Sequence, residues 1–197
     1  MHSAMITGII AGMAAFSVCI LPLPSKPAID SAAVEQAFYA AEATAALFSG
    51  YAGNVYAEGT IDVDGVRYDR FEICADMNAL EALVRASFDD ALSAEFLAAE
   101  AYDGHPLYIE QDGTLYRFGG YAAQFDYYDS MAAVTDVRAK NGVIYVDVAS
   151  TFDIMDDPLT VTHTYTCIEE NGEYRFTGEF RLPFEVVYSA WLTRWDT

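Results

Sequence analysis

Three patterns of apolar and polar positions follow one another along this chain. From Ala4 to Pro24 the residues are almost wholly apolar, broken by Thr7 and Ser17 as polar side chains. Next, Val34, Ala37, Phe38, Ala41, Ala45 and Phe48 recur three and four apart. That is the period of one helix face, and it predicts a helix over 30–48 capped by Asp30 or Ser31 and ended near Gly50. Residues 55–63 and 66–75 read as strands around Asp64-Gly65. Asp76 opens a second helix to about 88, with Asn78 and Glu81 at capping-box spacing and Met77, Leu80, Leu83 and Val84 as its apolar set. A third, short helix is predicted over 90–101, carrying Leu92, Phe96 and Leu97.

The second half alternates with period two. Asp112-Gly113, Asn141-Gly142 and Asn171-Gly172 each stand between β-rich runs, and each dipeptide takes the positive φ angles of a tight hairpin. In the last pair, Val161, His163, Tyr165 and Cys167 fall on one face, with Thr162, Thr164 and Thr166 on the other. A sheet with one packed and one wetter side follows. Helices first and an antiparallel meander afterwards predict an α+β class, with N-terminal helices packed on a curved antiparallel sheet. Cystatin-like and ketosteroid-isomerase-like cones are the shapes that fit this order. The stretch 184–195 suits either a strand or a helix.

Charge divides the chain more sharply than hydropathy does. Residues 1–25 hold no Asp, Glu, Lys or Arg, whereas the whole chain carries 30 acids against 10 bases, a net charge of −20. An uncharged apolar leader on an acidic body predicts export, either through a signal peptide or by an N-terminal membrane anchor. The expected organisation is therefore a leader at 1–25, a linker at 26–29 and one α+β domain at 30–197. The domain is long enough for a single core, and 14 Tyr and 12 Phe make that core aromatic. Clustered Lys and Arg, which phosphate binding needs, are missing, so nucleic acid is excluded as the expected partner and a basic protein is favoured. Membrane contact is expected only through the leader.

Catalytic signals are sparse. There is no G-x-S-x-G elbow, and His163 in mid-strand reads as a core or rim histidine; His105 sits on a turn. Cys74 and Cys167 fall in predicted strands and would either pair as a disulfide in an oxidising compartment or remain buried thiols. C-x-x-C and Cys/His metal spacings are absent, and no cofactor is expected. Acidic groups at Asp62-Val63-Asp64-Gly65 and 153–157 read as solvated turns rather than calcium loops. Tyr121, Phe125, Asp126, Tyr127, Tyr128 and Asp129 combine aromatic rings and carboxylates behind Gly119-Gly120, as a loop needs in order to meet a basic, partly apolar groove. That loop is the expected partner contact, and no residue is expected to be catalytic. Two other readings stay open: a cone-pocket enzyme or small-ligand binder using an Asp/Tyr pair on an apolar molecule, and a membrane-tethered structural or sensory domain.

The stretch His105-Pro106-Leu107-Tyr108-Ile109-Glu110-Gln111-Asp112-Gly113-Thr114-Leu115-Tyr116, followed by Gly119-Gly120, resembles the bacterial cell-wall DL-endopeptidase inhibitor family (the IseA-like proteins). The shared motif is Asp112-Gly113-Thr114-Leu115-Tyr116, and the similarity runs loosely over 30–182. The resemblance implies a cystatin-like domain that blocks the active-site groove of a papain-like cell-wall hydrolase sterically, without chemistry of its own. It carries over no contact residues, and the leader and the short tail after Asp196 depart from the family pattern.

Overall fold

The computed structural model describes residues 29–49, 56–101, 104–119, 131–154 and 157–194. The leader at 1–25 lies outside them. Helix α1 (Ser31–Ala46) is followed by β1 (Tyr56–Val63), β2 (Val66–Phe71), α2 (Met77–Ser87) and α3 (Asp90–Leu97). Then come β3 (Tyr108–Gln111), β4 (Thr114–Phe118), β5 (Met131–Lys140), β6 (Val143–Ile154), β7 (Asp157–Glu170), β8 (Glu173–Thr177) and α4 (Pro183–Thr193). The class is α+β, with helices against antiparallel sheet.

Aspartates start the first three helices. Asp30 accepts hydrogen bonds from the Ala32 and Ala33 amides, Asp76 from Ala79 and Asp89 from Leu92, so each satisfies amides that a helix start leaves unpaired. α4 starts differently. Pro183 occupies the first turn and Glu185 reaches back to the Leu182 amide at 3.1 Å. The ambiguity over 184–195 thus resolves to helix, and α3 closes four residues earlier than its periodicity suggested.

Four hairpin dipeptides turn as their chemistry requires. Asp64, Asp112, Asn141 and Asn171 all have φ of 52–54°, each followed by a glycine at 71–84°. The hairpins sort into two sheets. The 107–118 hairpin joins the first, in the order β1-β2-β4-β3, because β4 pairs with β2 through Tyr68 opposite Phe118 and Asp69 opposite Arg117. The second sheet is a meander, β5-β6-β7-β8. Two departures concern where strands end. Cys74 lies in the bend beyond β2, not in a strand, and β8 stops at Thr177, where Gly178 at φ 75° turns the chain inward.

The inner face of the second sheet carries Ile144, Val146, Val148, Ser150 and Phe152 opposite Cys167, Tyr165, His163, Val161 and Leu159. One end of this face receives α1, where Phe38 is fully buried with its ring 5.1 Å from Tyr165 and 5.8 Å from Phe176. Burying such a ring stabilises the fold by about 1.5–3 kcal/mol. The other end receives α4, through Val187, Phe184 and Trp191 on Phe152, Leu159 and Val161. The opposite face is polar: Thr160, Thr162 and Thr164 are exposed, and Arg138 pairs with Asp136 and Asp147.

Helix α1 also reaches the first sheet. The Tyr108 hydroxyl donates to the Leu47 carbonyl at 2.6 Å, and Arg117, 1% exposed, donates to the Ser49 carbonyl at 2.6 Å. Two of the carbonyls just past the last turn of α1 are thereby satisfied by side chains from β3 and β4.

Candidate partner-binding groove

The acidic aromatic loop expected to make contact, with Tyr121, Phe125, Asp126, Tyr127, Tyr128 and Asp129, lies outside the described residues. What the fold places is its starting point. The Gly119 amide donates to the Arg67 carbonyl at 2.9 Å. A Cβ at position 119 would stand 2.9 Å from an Asp69 carboxylate oxygen and 3.1 Å from the Arg67 carbonyl oxygen. Asp69 cannot yield easily, being buried and held by Arg67 Nε at 2.8 Å. Glycine is required there by space rather than by backbone angle.

The other sequence candidates have structural roles. Asp62 accepts from the Gly65 amide and shapes its own turn. Among the described residues no group of three or more His, Cys, Asp or Glu side chains could hold a metal ion. Within 153–157, residues 155 and 156 lie outside the described residues. His105 stacks beside Phe118. His163 is half-buried and edge-on to Tyr165 at 4.7 Å; burial, then Arg181, lowers its pKa. Cys74 and Cys167 are buried free thiols, and no bridge joins them. Burial pushes the Cys167 thiol up to about 12; burial and then Asp76 raise that of Cys74, so neither is poised as a nucleophile.

Tyrosine hydroxyls mostly meet backbone carbonyls. Tyr165 donates to Arg181, Tyr108 to Leu47 and Tyr68 to Pro106. Tyr39 meets a carboxylate, Glu35 at 3.4 Å, on the open surface of α1. Burial raises the pKa of Glu42 on the same helix.

A groove around α3 brings together what the expected contact loop was credited with. Two adjoining hollows, of about 340 Å³ and 240 Å³, share Phe48, Phe96 and Ala99. Leu92, Phe180, Glu95 and Glu179 line the larger; Met77, Leu80, Pro106, Tyr108 and Glu100 line the smaller with Leu107 and 97–98. The floor is a run of rings: Phe96 lies 4.6 Å from Phe88 and 5.2 Å from Phe48, which in turn meets Tyr108 at 5.4 Å. Glu95, Glu100 and Glu179 are exposed, and among the described residues no basic side chain lines either hollow. Arg181 approaches Glu179 only to 3.8 Å. An apolar floor beneath exposed carboxylates suits an apolar stem that ends in a cation, as in Lys and Arg.

Sequence reasoning missed this groove because its walls come from distant segments. Leu92 and Phe96 stand one helical turn apart and read as core. The visible signal was Glu95 beside Phe96 in a helix too short to bury a whole face. No protein-family model matches the chain, and no curated protein sequence matches it.

Proposed function

We propose that this chain is an exported, acidic, non-enzymatic binding domain that holds a basic protein partner, and that the partner is a papain-like cell-wall peptidase whose active-site groove it blocks. The observation that supports this most is the ring-floored groove at α3, rimmed by Glu95, Glu100 and Glu179 in a chain of net charge −20. Complementary charge speeds encounter and fixes orientation, while the buried rings supply the anchor. The 121–129 loop would be a second contact, with Asp126 and Asp129 facing basic groups. A cystatin-like cone is the shape this reading assigns to the helix-covered sheet.

The test is inhibition of a purified cell-wall DL-endopeptidase by the full chain. Inhibition should weaken between 50 mM and 500 mM salt, because exposed charges are screened over about 10 Å at 0.1 M. Glu95→Gln with Glu179→Gln should weaken it at low salt and reduce its salt dependence. Undiminished activity of the peptidase with the chain in excess would refute the inhibitor assignment.

A further inference from the structure

The geometry points to a further contact, resting on the basic-partner reading: the open edge of β7, from Pro158 to Tyr165, takes an added β-strand from that partner. β8 pairs with β7 only from Thr166 to Glu170, whereas β6 pairs with it continuously from Asp157 to Cys167. Among the described residues, no backbone group pairs with the far side of β7 before Thr166. Burial follows the same boundary. On one face of one strand, Cys167, paired with β8, is 0% exposed and Tyr165, one residue past the last pair, 2%, while His163, Val161 and Leu159 beyond are only half-buried.

The other described edges are defended, β8 among them by its five-residue length, by Glu173 and Arg175 and by the Phe88 bridge at Phe176, and this one is not. β1 has a register break between Tyr56 and Thr60, with Gly59 at φ 144°. β3 is four residues long and carries Glu110. β5 breaks register between Val134 and Asp136 and displays Asp136, Arg138 and Lys140. Bulges, short length and charge are the usual means of keeping an edge from pairing with another chain. From Pro158 to Ile168, β7 has no bulge and no charged side chain, and its single guard is Pro158 at the far end. The stretch is β-branched and hydroxylated, as pairing with an extended segment favours.

Charge selects the occupant. A second copy would bring another net charge of −20 against the first, which opposes self-pairing. A segment of alternating β-formers flanked by Lys or Arg gains the ladder hydrogen bonds and the field of the acidic body together.

The probe is a short synthetic peptide of alternating valine and threonine with two lysines at each end, added to the full chain. Two controls accompany it: a peptide of the same charge interrupted by prolines, and one with its lysines replaced by serines. Residue-resolved amide hydrogen exchange reads the result. Exchange at alternate positions within 159–165 should slow by about tenfold or more with the first peptide, the scale expected when exposed amides enter a ladder, while β1 and β5 stay unchanged. The proline-interrupted peptide should leave the edge unprotected. If both lysine peptides bind equally and neither protects the edge, strand addition fails while the acidic reading stands. If the serine peptide protects as well as the lysine one, the basic occupant fails while the open edge stands. Protection that grows with protein concentration without peptide would assign the edge to a second copy and overturn the proposal.

Discussion

Replacing Phe96 with alanine separates what the groove does for the fold from what it does for binding. The ring is half-buried, so it forfeits about half of the ~1.5–3 kcal/mol that full burial gives. Its pairs with Phe88 at 4.6 Å and Phe48 at 5.2 Å add about 0.5–1.5 kcal/mol each. The expected loss is therefore about 2–4 kcal/mol, which a fold of ordinary stability survives. With a urea slope of about 2 kcal/mol/M, the unfolding midpoint should fall by about 1–2 M. Inhibition of the peptidase should weaken by about tenfold or more, because the ring floors both hollows. Phe38→Leu serves as the control, since Phe38 packs on Tyr165 and Phe176 and lines neither hollow. It should lower stability and leave binding unchanged. Phe96→Ala binding its partner as tightly as the parent would refute the groove, and a stability loss under about 0.5 kcal/mol would refute the packing account.

Gly119→Ala should destabilise by about 1–3 kcal/mol in urea unfolding, because the new methyl meets the Asp69 carboxylate and the Arg67 carbonyl. Cys167, with its thiol raised to about 12, should label with iodoacetamide at pH 8 about a thousandfold more slowly in the native protein than in urea, read peptide by peptide in a mass spectrometer. A Cys74–Cys167 cross-linked peptide in the native digest would contradict the free thiols. His163 has a folded pKa below its unfolded value of about 6.5. Its contribution is therefore full above that value and lost as pH falls through the folded pKa. His163→Gln should accordingly flatten the fall in thermal midpoint between pH 7.5 and pH 5 relative to the parent, and an identical fall would sink the assignment.

Local chemistry made much of this fold legible. Asp30 and Asp76 announced the starts of α1 and α2, and four Asp-Gly or Asn-Gly pairs announced four hairpins; the pairing of β6 with β7 has no such dipeptide. Alternation along β7 assigned Tyr165 and Cys167 to the buried face and Thr162 and Thr164 to the exposed one. Longer-range choices were hidden. Nothing near Asp112-Gly113 says that its hairpin pairs with β2 instead of continuing toward β5. Residues 174–182 read as one strand, since Gly178 alone marks where Phe180 leaves the ladder for the core. The groove was hidden for a related reason: Phe48 and Phe96 look like interior residues until the short α3 leaves them partly uncovered. The charge signal was legible, but it names a sign and not a place.

The grip of Tyr108 and Arg117 on the end of α1 has a consequence for how the molecule comes apart. Helix α1 belongs by packing to the meander and by hydrogen bonding to the other sheet, so neither half can melt while the other keeps its helix intact. Withdrawing α1 from the first sheet would take the Ser49 carbonyl away from a guanidinium that is shut from water, a loss of about 1.5–3 kcal/mol. Denaturation should therefore show one shared transition, with amides of β4 and β6 opening at the same free energy, where two independent layers would show two.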